Sequence, residues 1–69
     1  MRRCSILFTT GQGFGDVQKY IEANGGRLLP SPPMYPPMLF VDVPEELVTK
    51  LKGSNDDIRK VTDQGDIDN

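Results

Sequence analysis

The sequence contains no histidine and no tryptophan, and it has a single cysteine among its 69 residues. Without histidine, the usual general base that activates a serine, threonine or cysteine nucleophile is missing. Cys4 has neither a second cysteine for an internal disulfide nor a histidine with which to form a zinc site. We therefore expect the chain not to be an enzyme and to hold no metal or cofactor. We expect Cys4 to be a small, buried apolar residue.

Long apolar runs and an excess of positive charge are missing as well. No stretch approaches the ~18 apolar residues of a membrane-spanning helix. Ile6-Leu7-Phe8 is far shorter than the apolar region of a secretory signal. The lack of a signal and of disulfides favours an intracellular location. Eight basic residues against ten acidic ones argue against a general binder of phosphate backbones. We therefore predict neither nucleic acid nor a membrane as a partner.

The length allows one domain, residues 1–69, with a small core. Leucine, isoleucine, valine and phenylalanine make up about 26% of the chain, above the ~20% level that suggests disorder. Residues 64–69 are polar and are predicted to form a C-terminal tail. The chain should fold, with a small margin of stability.

Local patterns predict four strands and two helices. The strands are predicted at residues 5–10, 27–29, 38–43 and 58–63. One helix is predicted over residues 17–23, capped by Asp16 and ended by Asn24-Gly25-Gly26. The other is predicted over residues 44–53, with Pro44 in the first turn. Five of the eight residues 30–37 are proline, which excludes a central strand there.

The predicted order β-α-β-β-α-β defines the fold class. Right-handed crossovers place the first and third strands in the centre and both helices on one face of the sheet. We predict an α+β, ferredoxin-like sandwich with a four-stranded antiparallel sheet. In the third strand, Leu39, Val41 and Val43 alternate with Met38, Phe40 and Asp42. The first set should face the helices, and the second should lie on an open face where a partner docks.

Two sequence patterns are similar to ligand-binding motifs, but neither is predicted to bind a ligand. Gly11-x-Gly13-x-Gly15 lacks the spacing and the lysine of a phosphate-binding loop, so it is predicted to be a flexible connection. Phe8 and Phe40 lie on central strands, as stacking aromatics do in RNA-binding sheets, but they are predicted to point to opposite sides.

Five aspartates crowd the last fifteen residues: Asp56, Asp57, Asp63, Asp66 and Asp68. They lack the alternation and the closing glutamate of a calcium loop. Two interpretations stay open. They form a solvated acidic edge, or they cap helix N-termini of another protein.

Three segments resemble subtilisin propeptides. Residues 20–28, YIEANGGRL, resemble an "IEENGGKV"-like helix end, and residues 40–52, FVDVPEELVTKLK, resemble an "FAVEVPEEAVEKLK"-like passage from strand to helix. Residues 55–64, NDDIRKVTDQ, resemble the closing "NDVIENVEED"-like strand. With the first strand, these cover most of the chain in the same order, and the whole is most similar to the stand-alone inhibitor relatives of the fungal proteinase B inhibitor type.

The resemblance implies a stand-alone inhibitor, or folding helper, of a subtilisin-like serine protease. In such proteins the open sheet face packs on two helices of the protease, and the C-terminal tail enters the active-site cleft. The matching positions for apolar contact are Met38 and Phe40, and the acidic positions are Asp42 and Asp63. The tail would be Asp66, Ile67, Asp68 and Asn69.

The sequence departs from the propeptide pattern in two places. A proline-rich run replaces the regular second strand, and the tail is polar where many subtilisins prefer apolar residues. An alternative function is a ferredoxin-like assembly module without protease inhibition, which pairs with itself or with a host protein through its open face.

Overall fold

The computed structural model describes residues 1–30 and 36–66. These residues form β1 (Arg2–Phe8), α1 (Phe14–Ala23), β2 (Arg27–Leu28), β3 (Met38–Val43), α2 (Glu45–Leu51) and β4 (Ile58–Asp66). The predicted order β-α-β-β-α-β is confirmed. Among the described residues, no helix is long and apolar enough to cross a membrane.

The strands form one antiparallel sheet with the order β2-β3-β1-β4. As predicted, β1 and β3 are central and β2 and β4 lie at the edges. Ile6 is directly opposite Leu39 on one side and Val61 on the other. The arrangement is the α+β, ferredoxin-like fold expected from the sequence.

The core lies between the sheet and the two helices. The alternation predicted for β3 is confirmed, because Leu39, Val41 and Val43 are each at most 3% exposed. Alternate residues of β1 and one stripe of each helix complete the core, and its remaining members are Cys4, Ile6, Phe8, Val17, Ile21, Leu47, Leu51 and Ile58. Both helices therefore cover the same face of the sheet.

The limits of β1 differ from the prediction of residues 5–10. The strand begins at Arg2 because Arg2 and Arg3 pair across the ladder with Val43 and Asp42. It ends at Phe8, and the Thr9 amide donates instead to the Asp57 carbonyl at 2.8 Å.

Helix α1 begins at Phe14, three residues before the predicted start. The predicted cap is wrong. Asp16 lies inside the first turn, Gly13 is the N-cap residue, and no side chain caps the helix. At the other end, the prediction is confirmed, because Gly25 has a left-handed backbone (φ +85°) that only glycine adopts readily.

Strand β4 extends to Asp66, so residues 64–66 belong to the sheet and not to the predicted tail. A register shift between Arg3 and Cys4 of β1 inserts an extra residue into β4 beside Gly65. This bulge explains why the strand predicted from the sequence ends before β4 does. Gly65 has φ +110°, and this backbone conformation interrupts the alternation of side chains along β4. The proline-rich prediction for residues 30–37 falls mostly on residues 31–35, outside the described residues.

Candidate functional site: the uncovered face of the sheet

The face of the sheet opposite the core is covered by neither described helix. Directly opposite residues of antiparallel strands share a face. The odd-numbered residues of β1 therefore lie on this face, opposite Met38, Phe40 and Asp42 of β3. We call this surface the open face, and its members are Arg3, Ser5, Leu7, Arg27, Met38, Phe40, Asp42, Lys60 and Thr62.

Three apolar side chains lie next to one another towards the end of the open face that is distant from Arg3 and Asp42, and we call them the apolar centre. Leu7 is directly opposite Met38, and Phe40 is opposite Ser5; Leu7, Met38 and Phe40 are partly exposed. Met38 and Phe40 thus lie on the face predicted for them. Phe8 is buried in the core, so the two phenylalanines lie on opposite sides of the sheet, as predicted, and do not form a stacking platform.

A buried carboxylate joins three strands at one end of the open face. Asp42 Oδ1 accepts from Arg3 Nε at 2.8 Å, and Oδ2 accepts from Arg3 Nη2 at 3.1 Å and from Arg27 Nη2 at 2.8 Å. The Asp42 side chain is 0% exposed, whereas those of Arg3 and Arg27 are 43% and 67% exposed. The two guanidinium groups therefore cover the carboxylate and present their outer sides to solvent.

The electrostatics of this cluster follow from the hydrogen bonds. The bonds from Arg3 and, after it, Arg27 favour the ionised carboxyl and lower the pKa of Asp42 to about 2, although burial acts in the opposite direction. Asp42 was predicted to contact a partner directly. It has no exposed surface, so its role in this geometry is to hold the two arginines in place.

Asp63 lies away from the open face. It is opposite Cys4, whose side chain is in the core, so Asp63 is on the helix side of the sheet. Its Oδ2 accepts from Arg2 Nε at 2.8 Å, and this bond, followed by one from the Gly65 amide, lowers the pKa of Asp63. The structure therefore does not bring Asp63 together with Met38 and Phe40.

Of the residues that the resemblance assigns to the tail, Asp66 is the last residue of β4. The backbone of Asp66 is opposite Arg2 in the ladder. Ile67, Asp68 and Asn69 lie outside the described residues.

The glycine-rich connection between β1 and α1 is folded around the carboxylate of Asp57. Asp57 Oδ1 accepts from the Thr10 amide at 2.9 Å and from the Thr10 hydroxyl at 2.8 Å. Oδ2 accepts from the amides of Gly11 at 2.8 Å and Gly13 at 3.0 Å. A β-carbon at Gly13 would overlap the Asn55 side chain, so the close approach of the two loops requires glycine there.

This arrangement explains why the connection is not a phosphate-binding loop. Its amides point at an anion, but that anion is the chain's own Asp57, and the bond from Gly13 is the largest cause of the lowered pKa of this carboxyl. The adjoining cleft also contains Asp16 and Asp56, which would repel a phosphate. In residues 1–30 and 36–66, no group of acidic, cysteine or histidine side chains could hold a metal ion.

Sequence reasoning missed Arg3, Arg27 and Lys60 as members of the open face. The sequence carried no local signal for the two arginines, because only the strand register brings them beside the buried Asp42. The prediction for Cys4 is confirmed: the residue is fully buried, and burial is the main cause of the raised pKa of its thiol.

Comparison with protein-family models, with curated proteins and with solved structures finds no match for this chain. The class that the fold defines is an α+β, ferredoxin-like domain with one uncovered sheet face. The resemblance to subtilisin propeptides stays a prediction.

Proposed function

We propose that the chain is a small inhibitor of a subtilisin-like serine protease and that it docks through the open face. The observation that carries the proposal is the partly exposed apolar centre of Leu7, Met38 and Phe40 on a sheet whose other face is covered by both helices. A flat apolar surface on a rigid sheet is suited to packing against the helices of another protein.

The sequence resemblance supports the same function. Its three segments fall on the end of α1, on the passage from β3 to α2 and on β4. These are separate parts of the fold, and all three lie in the order that the resemblance requires.

In the proposed complex, the sheet supplies the contact area and residues 67–69 block the cleft. Strand β4 extends to Asp66, so the segment that follows starts from a fixed position. A segment held in this way loses less conformational entropy on binding than a free peptide does. A sheet that docks on two protease helices would also hold these helices together, which supports a role as a folding helper.

The test is inhibition of purified subtilisin by the intact chain and by a chain that ends at Asp66. The shorter chain keeps all of β4, including the pairs of Gly65 with Arg3 and of Asp66 with Arg2. We expect the intact chain to inhibit, and the shorter chain to bind with weaker inhibition. Equal inhibition by the two chains would contradict the tail mechanism, and no inhibition by either would contradict the function.

A second test addresses the docking surface. Substitution Phe40→Ser removes the largest apolar side chain of the open face, and we expect it to weaken inhibition about tenfold or more. Lys19→Ser is the matched control, because Lys19 is exposed on α1. Urea unfolding of both variants separates lost contact from lost folding. Unchanged inhibition by a folded Phe40→Ser chain would exclude the open face as the docking surface.

The alternative function, an assembly module without protease inhibition, is favoured by one observation. Strand β4 is nine residues long and lies at an edge of the sheet. Edge strands can pair with a strand of another chain. Sedimentation equilibrium distinguishes the two functions, since a module that pairs with itself would show a mass that rises with concentration.

A further inference from the structure

The charges of the molecule are unevenly distributed. The chain as a whole has a net charge of −2. The open face nevertheless carries three cationic side chains, Arg3, Arg27 and Lys60, and among its described members the sole carboxylate is the buried Asp42. The other acidic side chains whose placement is described lie on the helices, in the loops around Asp57 and on the helix side of β4: Asp16, Glu22, Glu45, Glu46, Asp56, Asp57 and Asp63.

We infer that the open face binds an acidic protein surface, in which carboxylates flank an apolar centre. This inference rests on the proposed function and specifies the chemistry of the protease surface that the domain selects. The apolar centre of Leu7, Met38 and Phe40 supplies the buried area, and the cations at its margins set the choice of partner.

The geometry of the two arginines favours carboxylates. A guanidinium group has five N–H donors in a planar fork that matches a carboxylate. The hydrogen bonds to Asp42 use two donors of Arg3 and one of Arg27. Asp42 thus orients both groups while their exposed sides face solvent, so less side-chain entropy is lost when a partner binds.

Lys60 extends the positive surface to the edge of the sheet. It is opposite Leu7 in the β1–β4 ladder, is exposed, and lies on the far side of the apolar centre from Arg27. A partner that covers Leu7, Met38 and Phe40 therefore meets Lys60 beside Leu7 and the two arginines beyond Phe40.

The same charges disfavour a second copy of this chain as the occupant. A symmetric dimer through the open face would bring two identical sets of cations together, and like charges across an interface are unfavourable. The described acidic side chains of a second copy, apart from the buried Asp42, lie on its helices, in its loops and on the helix side of β4, away from its own open face.

The test uses two designed helical hairpins as probes. One presents a leucine stripe flanked by glutamates, and the other has lysine in place of each glutamate. Nuclear magnetic resonance titration of the intact chain reports which amides each probe perturbs. We expect the glutamate hairpin to perturb Leu7, Met38 and Phe40 and to bind at least about tenfold more tightly than the lysine hairpin. Raising the salt concentration should reduce this difference.

Charge reversal supplies the matched control. Lys60→Glu should weaken binding of the glutamate hairpin several-fold, whereas Lys19→Glu on α1 should leave it unchanged. Both variants keep the contacts of Asp42, so folding is not at risk from the loss of that cluster.

Equal binding of the two hairpins, binding of neither, or an unchanged affinity of the Lys60→Glu chain would overturn the inference. Binding to anionic phospholipid vesicles in preference to the glutamate hairpin would also overturn it. None of these measurements uses a protease, so failure of subtilisin inhibition and failure of the charge preference are separate results.

Discussion

Two aspartates hold distant parts of the chain together. Asp42 binds Arg3 and Arg27, and Asp57 binds the amides that precede α1. The pKa of each carboxyl is lowered because hydrogen-bond donors favour its ionised form. Each carboxylate thus links segments that lie between 15 and 47 residues apart in the sequence.

Acid should destabilise the domain through Asp42. The pKa of this carboxyl is 3.8 in its ordinary state and about 2 in the folded chain. A lowered pKa means that the contribution is fully present above about pH 4 and is lost as the pH falls towards 2. We therefore expect the urea midpoint to fall between pH 5 and pH 2, with the lowered pKa values of Asp57 and Asp63 acting in the same direction.

The Asp42→Asn variant isolates this contribution. At pH 7 we expect it to be less stable by about 1–3 kcal/mol, because a neutral amide accepts weaker bonds and places its NH₂ group against a guanidinium. Its urea midpoint should fall less steeply with acid than that of the unaltered chain. Parallel pH profiles of the two chains would show that Asp42 does not contribute.

Elements with strong local patterns could be predicted from the sequence, and elements defined by long-range contacts could not. The alternation of β3 predicted its limits, Met38 to Val43, and its buried side. The start of β1, by contrast, depends on pairing with β3, and the end of β4 depends on a bulge beside Gly65. Neither leaves a local signal.

In the candidate site, too, local patterns were predictable from the sequence and long-range contacts were not. Met38 and Phe40 were assigned to the open face from alternation alone. The cluster around Asp42 needed the register that brings Arg3 and Arg27 from two other strands. The start of α1 was missed because the amides that immediately precede the helix are held by Asp57, 44 residues away from Gly13.

We predict opposite effects on stability for alanine substitutions of two glycines near the start of α1. Gly13→Ala should destabilise the chain by about 1–3 kcal/mol, because the added carbon displaces Asn55. Gly15→Ala is the matched control. Gly15 lies in α1 with open space around it, so alanine should stabilise the chain by about 0.5–1 kcal/mol. Urea unfolding measures both. A neutral Gly13→Ala variant would mean that the two loops are loosely packed.

At the scale of the whole molecule, the sheet is complete only when the last strand is present. β4 contributes Ile58 to the core and is one of the two neighbours of the central β1. Asp57, immediately before it, fixes the start of α1. Each half of the molecule therefore depends on the other.

Removal of β4 should abolish folding. We expect a chain that ends at Asn55 to be largely unfolded by circular dichroism, because it lacks Ile58, one flank of β1 and the Asp57 carboxylate. A chain that ends at Asp66 is the control and should retain its structure. Native-like stability of the shorter chain would show that β4 is an accessory strand.

The central position of β1 has a consequence for the order of events during synthesis. β1 pairs with β3 and with β4, and Arg2 is opposite both Val43 and Asp66. β3 and β4 both follow β1 in the chain, and α1, β2 and α2 lie between these strands, so β1 cannot be enclosed in the sheet until β4 has been made. Such distant pairings slow folding relative to a helical chain of equal length. In a nascent chain, one edge of β1 therefore stays open to proteases and to aggregation until β4 has been made.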